Sequence, residues 1–480
     1  MSQPKGRRVV LTALIMLGLA ACAPTRQAVQ TQPMTLDGWV TTGDRSELMH
    51  EQPTAVWSAA APSAGPEIVV DADQRFQTMV GFGASVTDAS AWLIQTRMNP
   101  AQRDALLHEL FGREGEGLGF SFTRVTIGAS DFSRTHYSLA DEPDPTLANF
   151  SVAPMAEHVF PTVRQALAIN PELKVMASPW SAPGWMKTTG SLIQGQLKPE
   201  LYGVYADYLT RYIRGAAEHG VPTDYLSIQN EPDFEPDSYP GMRWPPADRA
   251  RFIGRNLGPA FRDAGLSTQI LDWDHNWDKP EQPLGVLADP VAYPFVSGVA
   301  WHCYGGDVSA QGQVRDAHPD KDVFFTECSG GQWAPDFGDS LMWTARNLII
   351  GSTNQWARGV LMWNLALDEN YGPHAGGCGD CRGVVTIDSR TGEVTRNQEY
   401  YTFGHASRFV RPGARRIGVS APAELQAVGF VNPDGSRALL VLNDTANAAT
   451  FSVREGESSA PVRLPPRSLA TLVWGGSSGN

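Results

Sequence analysis

The chain is short of positive charge and of long apolar runs, and each shortage excludes a class of protein. It has 38 Lys and Arg against 51 Asp and Glu among 480 residues, a formal net charge of −13. This balance argues against nucleic acid as a partner, because a phosphate backbone binds basic surfaces. The length favours one large domain with a smaller one beside it.

Long apolar runs are scarce as well. Residues 9–19 form an apolar run that is too short to span a bilayer, after a basic segment at residues 5–8. No later stretch has 18 uninterrupted apolar residues, so no membrane-spanning helix is predicted. The run ends in Leu19-Ala20-Ala21-Cys22, which resembles the bacterial lipobox, in which the cysteine is lipidated. An ordinary signal peptide is the alternative.

This N-terminal pattern predicts an exported lipoprotein that is periplasmic or anchored to the outer membrane through lipidated Cys22. Residues 1–22 would be the signal segment, and membrane contact would come through the lipid anchor only. Residues 23–35 are rich in Thr, Gln, Ala and Pro, which is typical of a flexible tether.

Cysteine is also rare, with five in the chain. Cys378 and Cys381 form a CxxC motif in a glycine-rich loop. It could be a redox pair or half a zinc site, but a second CxxC and a nearby His pair are missing. In an oxidising compartment a local disulfide is favoured. Cys303 and Cys328 are predicted to be free, small buried residues.

Neither a metal nor a cofactor is predicted. The sequence shows no cluster of metal ligands with a recognised spacing. Gly81-x-Gly83 might suggest a dinucleotide loop, but Val86 stands where the third glycine is needed.

Strands and helices alternate through the middle of the chain, the pattern of a parallel α/β sheet. Eight strands are what a closed (β/α)8 barrel requires, and residues 75–409 are assigned to it. A helix is predicted over residues 201–213, and a second one starting near Asp339 or Ser340. The candidate strands are 79–83, 121–126, 173–178, 225–229, 269–272, 297–301, 323–327 and 358–362.

After residue 410 the pattern changes to short β runs separated by Asn-Pro-Asp-Gly and Pro-Pro turns. We assign residues 410–476 to a small β-sandwich. Short strands within residues 36–74 are expected to complete it, so that both ends of the chain build one domain.

Two of the predicted barrel strands end in glutamate. Glu231 follows the fourth strand, and Glu327 ends the seventh. The carboxyl ends of barrel strands are where such enzymes place their chemistry. Two carboxylates there suit a retaining glycosidase, in which one is the acid/base and the other the nucleophile, at about 5–5.5 Å.

Seven predicted strand ends carry polar or aromatic groups of the kind that contact sugars. Each alone could be structural: Arg124 could be a core ion pair and His302 a hydrogen-bonded core imidazole. Together they are hard to explain as structure alone. The groups include Asp131 after the second strand, Trp180 after the third, Asp272-Trp273-Asp274-His275 after the fifth, Tyr304 after the sixth, and Trp363-Asn364 after the eighth.

These segments resemble glycoside hydrolase family 30, and are closest to its glucosylceramidase branch. The resemblance covers roughly residues 75–475 in order. It implies a barrel with a β-sandwich and a retaining mechanism acting on a β-linked glucoside. The motifs that carry it are Gly81-Phe-Gly-Ala-Ser-Val-Thr-Asp88, Ala129-Ser-Asp131-Phe-Ser, Ala177-Ser-Pro-Trp180, Ile228-Gln-Asn230-Glu231-Pro, Trp301-His302-Cys-Tyr304, Thr326-Glu327 and Trp363-Asn364-Leu-Ala-Leu.

Carried over residue by residue, the resemblance makes Glu231 the acid/base and Glu327 the nucleophile. The substrate-binding residues would be Asp131, Trp180, Asn230, Trp363 and Asn364. Arg124, Tyr304 and His302 would support the site.

One loop departs from that branch. The CxxC segment that follows Trp363-Asn364 is unlike the animal glucosylceramidases and should border the aglycone. The alternatives within the family are a β-1,6-glucanase and other β-glycosidases. A reading from another class is a non-catalytic carbohydrate-binding lipoprotein, which the presence of both carboxylates disfavours.

Overall fold

The computed structural model describes residues 1–4, 6, 34–59 and 65–475. Cys22, most of the predicted signal segment and most of the predicted tether lie outside the described residues, so these remain predictions. Within the described ranges, no helix is long and apolar enough to cross a membrane.

The predicted barrel is confirmed. Eight parallel strands, numbered β1 to β8 along the chain, pair in sequence order. Backbone bonds close the ring between the first two strands: Val86 N donates to Arg124 O at 2.9 Å and Ser121 N to Phe82 O at 3.1 Å. The strands are β1 Gly81–Ser85, β2 Phe122–Ile127, β3 Lys174–Pro179, β4 Tyr225–Ser227, β5 Gln269–Asn276, β6 Val296–His302, β7 Asp322–Glu327 and β8 Ala357–Asn364.

The barrel interior begins with an apolar layer to which every strand, or the residue just before it, contributes one buried side chain. Such a layer fills the barrel, so the cleft opens only beyond it. Because side chains on one face of a strand recur every two residues, the next inward layer lies two positions further along each strand. The apolar layer consists of Val80, Phe122, Met176, Tyr225, Leu271, Ala300, Phe324 and Leu361.

The helices surround the barrel and join its strands. Two of them continue through π-helical turns at Ile253–Leu257 and Ala345–Gly351, and three 3-10 turns lie at Gly184–Met186, Pro199–Leu201 and Tyr293–Phe295. The α-helices are Asp88–Thr96, Pro100–Phe111, Ala153–Ala156, Val159–Ile169, Tyr202–Glu218, Pro246–Phe252, Gly258–Asp263, Glu281–Leu287, Ser309–Ala317, Phe337–Thr344, Ser352–Asn354 and Gln398–Ser407.

Both helices predicted from periodicity are present. The first spans Tyr202–Glu218 and ends where Gly220 takes φ +76°, a left-handed conformation that glycine adopts without a Cβ clash. The second begins at Phe337, a turn earlier than predicted. Asp336 caps it by accepting a hydrogen bond from Asp339 N at 2.7 Å, so the acidic residue expected to start the helix lies inside its first turn.

The smaller domain is a ten-stranded sheet built from both chain ends, as predicted. Its first strand pairs with its last, Thr35–Thr42 with Ser468–Trp474. Trp57 and Trp474 meet in its core with ring centroids 5.4 Å apart. In spatial order the strands are His50–Val56, Thr35–Thr42, Ser468–Trp474, Arg437–Asn443, Leu425–Val431, Arg415–Ser420, Glu67–Thr78, Ala449–Glu455, Ser458–Leu464 and Ser58–Ala59.

Short strands complete the loops above the barrel. Gly330–Gly331 pairs with Cys381–Arg382, and Ala366–Asp368 with Val385–Ile387, which in turn pairs with Val394–Arg396. The first pair joins the segment after β7 to the CxxC loop.

A buried histidine connects the two domains. His405, on the helix Gln398–Ser407, lies 2.9 Å from the hydroxyls of both Thr41 and Thr471. Burial lowers the pKa of His405 to about 3, so the imidazole is neutral at ordinary pH. The helix that follows the barrel is thereby fixed to strands from both ends of the chain.

Candidate active site

The two strand-end glutamates line one cleft of about 810 Å³ at the carboxyl ends of the barrel strands. Glu327 is the last residue of β7. Glu231 follows the short strand β4 and takes φ +48°, an unusual conformation for a residue other than glycine. Glu231 N donates to Asp274 O at 3.0 Å, so the backbone of β5 holds this conformation.

Asp274 is the central residue of the site, although from the sequence it was noted only as one of the groups at the end of the fifth strand and was given no role. Its Oδ2 accepts from Arg124 Nη2 and Ser178 Oγ, each at 2.7 Å. Its Oδ1 accepts from Thr326 Oγ1 at 2.7 Å and lies 3.0 Å from His302 Nε2. One buried carboxylate therefore ties together the ends of β2, β3, β5, β6 and β7.

A β-bulge explains why the sequence pattern gave no sign that Asp274 points into the barrel. Alternation along β5 places Leu271 and Trp273 inward, but the pairing with β6 shifts register between Trp273 and His275. Trp273 and Asp274 both take positive φ, at 77° and 50°. The bulge turns Asp274 into the barrel. The Trp273 ring packs against Arg249, with 5.4 Å between the ring centroid and Arg249 Cζ. Bulges commonly re-aim side chains beside active sites.

The surrounding charges keep Asp274 ionised. Burial alone would raise the pKa of the Asp274 carboxyl. The Arg124 guanidinium and the hydrogen bonds from His302 and Ser178 outweigh burial and hold this pKa well below its usual range. Arg124 and Asp274 form an ion pair whose side chains are both fully buried.

Arg124 lies where the resemblance placed it, beside the predicted nucleophile. Its Nη1 donates to Glu327 Oε2 at 2.5 Å, and its Nη2 donates to Asn230 Oδ1 at 2.8 Å. From the other side, the Tyr304 hydroxyl donates to Glu327 Oε1 at 3.0 Å. Each oxygen of Glu327 thus has a fixed donor.

His302 lies between the two glutamates and Asp274. Its Nδ1 is 3.0 Å from Glu231 Oε1, and its Nε2 is 4.0 Å from Glu327 Oε2. Burial would lower the pKa of His302, but the three carboxylates around it raise this pKa to about 9. Both ring nitrogens of His302 are therefore protonated. Nδ1 donates a hydrogen bond to Glu231, and Nε2 donates one to Asp274.

The pKa values of the two glutamates shift in opposite directions. Burial would raise the pKa of Glu231, but the imidazoles of His275 and His302 lower it below its usual range. Burial and the charge of Glu231 raise the pKa of Glu327, against Arg124 and His302.

Three residues of the site, Glu231, His275 and His302, are of the types that bind metal ions. The ligand atoms of Glu231, His275 and His302 lie within 4.8 Å of one another, and they form the metal-capable group among the described residues. Their placement has another explanation, since His302 is already hydrogen-bonded through both ring nitrogens. The expectation of a metal-free site stays a prediction.

Aromatic side chains line the cleft beside the glutamates. Trp180 and Trp363 stack with ring centroids 4.8 Å apart, and Arg124 lies over both rings. Asp131 is buried next to them, and its Oδ1 has no hydrogen-bond partner among the described residues. Burial, with the charges of Glu327 and Glu231, raises the pKa of Asp131 to about 8. A sugar hydroxyl is a suitable partner for this group.

The predicted substrate contacts divide into two sets. Asp131, Trp180, Asn230 and Trp363 line the cleft. Asn364 is buried apart from the cleft-lining residues, and its Oδ1 accepts from Thr87 Oγ1 at 2.8 Å. Thr87 in turn caps the helix Asp88–Thr96. The structure gives Asn364 a role in fixing that helix, and its role as a substrate contact stays a prediction.

The predicted pair Cys378 and Cys381 is joined by a disulfide, and both cysteines line the cleft. The prediction that Cys303 and Cys328 are free is wrong, because a second disulfide joins them with 5.4 Å between their Cα atoms. β6 and β7 are neighbours, and His302 pairs with Glu327. The residues that follow, Cys303 and Cys328, therefore meet.

Several rim residues were not predicted as site residues. Phe234 and Tyr239 follow Glu231, and Trp333 follows Glu327, all on loops that line the cleft. Loops carry no periodic signal, so the only clue was an aromatic residue shortly after a strand-end glutamate. His275 was noted at its strand end but given no role.

Comparison with known proteins establishes the class that this fold and site define. Residues 79–410 match the glycosyl hydrolase family 30 TIM-barrel domain, and residues 413–472 match the family 30 β-sandwich domain. The chain belongs to glycoside hydrolase family 30 and is a glycoside hydrolase, as the sequence resemblance predicted.

Individual relatives narrow the comparison. The chain is 34% identical over 429 residues to the endo-1,6-β-D-glucanase neg1 of Aspergillus fumigatus, which covers 83% of this chain and 85% of the relative. It is 30% identical over 437 residues, 86% of this chain and 84% of the relative, to a Caenorhabditis elegans protein provisionally named as a glucosylceramidase. The solved endo-β1,6-glucanase BT3312 superposes with TM-score 0.85 at 31% identity, covering 92% of this chain and 100% of that one.

The raised pKa of Asp131 predicts a pH dependence of stability. A buried carboxyl with a pKa near 8 binds a proton in the folded state that the unfolded chain, with a pKa of about 3.9, releases. Its contribution to stability is therefore lost as pH rises from about 4 to 8. We expect Asp131→Asn to lower this loss, so that the melting temperature falls less between pH 5 and pH 8 than in the wild type.

Calorimetry of both proteins across this pH range checks the expectation. Asp316→Asn, at an exposed position on the helix Ser309–Ala317, is the matched control and should follow the wild-type slope. Equal slopes for Asp131→Asn and the wild type would show that Asp131 ionises normally.

Proposed function

We propose that this enzyme hydrolyses a β-1,6-linked glucan by a retaining, double-displacement mechanism. The carrying observation is the pair Glu231 and Glu327, which line one cleft at the ends of β4 and β7 and are linked through His302. Two carboxylates in one site are the parts that such a mechanism requires.

Glu327 would attack the anomeric carbon as Glu231 protonates the leaving oxygen. Donors from Arg124 and Tyr304 hold both oxygens of Glu327, which restricts the carboxylate to one orientation for attack. A water deprotonated by Glu231 would then release the sugar.

The proton for the first step has a source in the free site. His302 carries a proton at its Nδ1, 3.0 Å from Glu231 Oε1. Transfer across this hydrogen bond would turn Glu231 into the acid without any movement of the chain. In the free site the pKa of His302 is raised and that of Glu231 is lowered, so the bound substrate has to reverse this order before the proton moves. When Glu327 forms the covalent bond it loses its negative charge. The pKa of Glu231 then falls, so Glu231 is ionised and can act as the base.

Two considerations favour a glucan over a glycolipid. The sequence favoured a glucosylceramidase-like enzyme, but relatives named as endo-1,6-β-glucanases match at higher identity than those named as glucosylceramidases. The disulfide-closed loop also shapes the cleft: Ala375 N donates to Asp131 O at 2.8 Å, and a Cβ on Gly377 would lie 2.5 Å from the Cβ of Asp131. This is the loop by which the sequence departs from the animal enzymes.

The linkage is tested by presenting the purified enzyme with β-1,6-glucan, β-1,3-glucan, glucosylceramide and an aryl β-glucoside, and measuring released reducing sugar or ceramide. We expect kcat/KM on β-1,6-glucan to exceed that on the other natural substrates by at least about 100-fold, about 2.7 kcal/mol of discrimination. A preference for glucosylceramide would overturn the glucan assignment and leave the glycosidase intact.

The roles of the glutamates are tested by Glu231→Ala and Glu327→Ala, each of which should lower kcat/KM by about 100-fold or more. Azide with an aryl β-glucoside separates them. With Glu327→Ala the azide enters the vacated face, and we expect an α-glucosyl azide. With Glu231→Ala it opens the covalent intermediate, and we expect a β-glucosyl azide.

Glu235→Gln is the control for the glutamate variants. Glu235 lines the same cleft but pairs with Arg243 rather than with the catalytic cluster. It should keep activity within about tenfold of the wild type. Folded alanine variants that yield no azide product, or that yield the opposite anomers, would overturn the assignment.

Export and anchoring are a separate proposal, supported by the Leu19-Ala20-Ala21-Cys22 sequence. We expect the wild type in the membrane fraction of a bacterial host with a fatty-acid label, whereas Cys22→Ala should lose the label and the membrane association. Cys303→Ala, which removes a cysteine from the barrel, is the control and should retain both. Wild-type protein without label would overturn the lipid anchor.

A further inference from the structure

A second cavity, of about 500 Å³, lies directly beside the catalytic cleft. We call it the side pocket. It shares Tyr304, Ser329 and Trp333 with the cleft, so the two cavities adjoin. Its volume is within the range of ligand-binding pockets, about 300–1,000 Å³.

Two indole rings stand at the side pocket. Trp333 is 56% exposed and Trp343 is 41% exposed, although large apolar side chains are usually buried. Trp333 borders both cavities, whereas Trp343 borders the side pocket alone. Flat apolar rings with one free face suit the C–H face of a pyranose ring.

Fixed polar groups line the same pocket. Arg382 Nε donates to both oxygens of Glu399, at 2.9 and 3.1 Å, and Nη1 donates to Gly331 O at 3.1 Å. Ser340 Oγ lies 3.4 Å from Arg382 Nη2. Arg382 is thus held before any ligand arrives, and this arrangement offers hydroxyl partners without an ordering cost.

The position of Trp333 depends on two adjacent glycines. A Cβ on Gly331 would lie 2.0 Å from the Trp333 ring, and a Cβ on Gly330 would lie 1.8 Å from Glu399 Oε1. Both contacts are shorter than any side chain tolerates. Gly330–Gly331 is also the strand that pairs with Cys381–Arg382. The ring, the arginine and the cleft disulfide therefore form one braced unit.

We propose that the side pocket is a second glycan-binding subsite, which holds a distal glucosyl unit of the chain whose scissile linkage lies in the cleft. The inference rests on the proposed action on a β-glucan and deepens it. Continuity with the cleft, two exposed rings and a preorganised arginine support a sugar. An alkyl chain would cover polar side chains that line the side pocket, among them Asp339 and Gln398, without offering them hydrogen bonds.

The test is Trp343→Ala, because Trp343 lies outside the catalytic cleft. Hydrolysis is measured on an aryl β-glucoside, on a long-chain alkyl β-glucoside and on gluco-oligosaccharides of increasing length, in whichever β-linkage the wild type cleaves. A wrong linkage in the proposed function then leaves this test intact. We expect kcat/KM on the longest oligosaccharides to fall about tenfold, equivalent to about 1.4 kcal/mol, with kcat/KM on the aryl glucoside unchanged.

Trp343→Phe is the matched control, because it keeps an aromatic face and should restore most of the activity on long substrates. Four results would each overturn the proposal. Trp343→Ala could lower activity equally on all lengths, or on none. The wild type could cleave no chain longer than a disaccharide, or the loss could be confined to substrates with an alkyl aglycone.

Discussion

The buried ion pair between Arg124 and Asp274 is the interaction on which the site depends. Both side chains are fully buried, with 2.7 Å between Nη2 and Oδ2. Two charges in a barrel interior are tolerated only when paired and hydrogen-bonded, and loss of one partner costs about 3–5 kcal/mol. Here Ser178, Thr326 and His302 satisfy the remaining oxygens, while Arg124 also reaches Glu327.

Strand geometry brings these residues together. Arg124, Ser178, His302 and Thr326 each lie two positions beyond a residue of the apolar layer, so they form the next inward layer of the barrel. Asp274 joins that layer only through the bulge in β5. The carbonyl oxygen of Asp274 accepts a hydrogen bond from Glu231 N, and both residues have a left-handed backbone conformation. Unusual backbone conformations thus concentrate where the two carboxylates are positioned.

The sequence predicts the regular part of this structure well and the irregular part poorly. Short apolar runs located all eight strands, and the 3.6-residue pattern located the helix Tyr202–Glu218, because burial enforces both patterns. The helix cap at Asp336 was misplaced, since several acidic residues near it compete as caps. Strand ends revealed Glu231, Glu327, Arg124 and His302.

What the sequence missed depends on contacts between strands or on loops. The inward turn of Asp274 follows from a register shift with β6, which one strand alone does not encode. The Cys303–Cys328 disulfide follows from the adjacency of β6 and β7. Trp333 and the side pocket lie on a loop without periodicity. Each of these features needs the barrel to be assembled before it can be seen.

In the proposed mechanism, Glu327 becomes covalently bound to the sugar while Arg124, Tyr304 and His302 position the two glutamates. The most direct measurement uses a 2-deoxy-2-fluoro-β-glucosyl fluoride, whose slow deglycosylation accumulates the intermediate, followed by proteolysis and mass spectrometry. We expect one added fluoroglucosyl group, on the peptide that contains Glu327. A label on the peptide with Glu231, or an unlabelled enzyme that releases the inverted sugar, would contradict it.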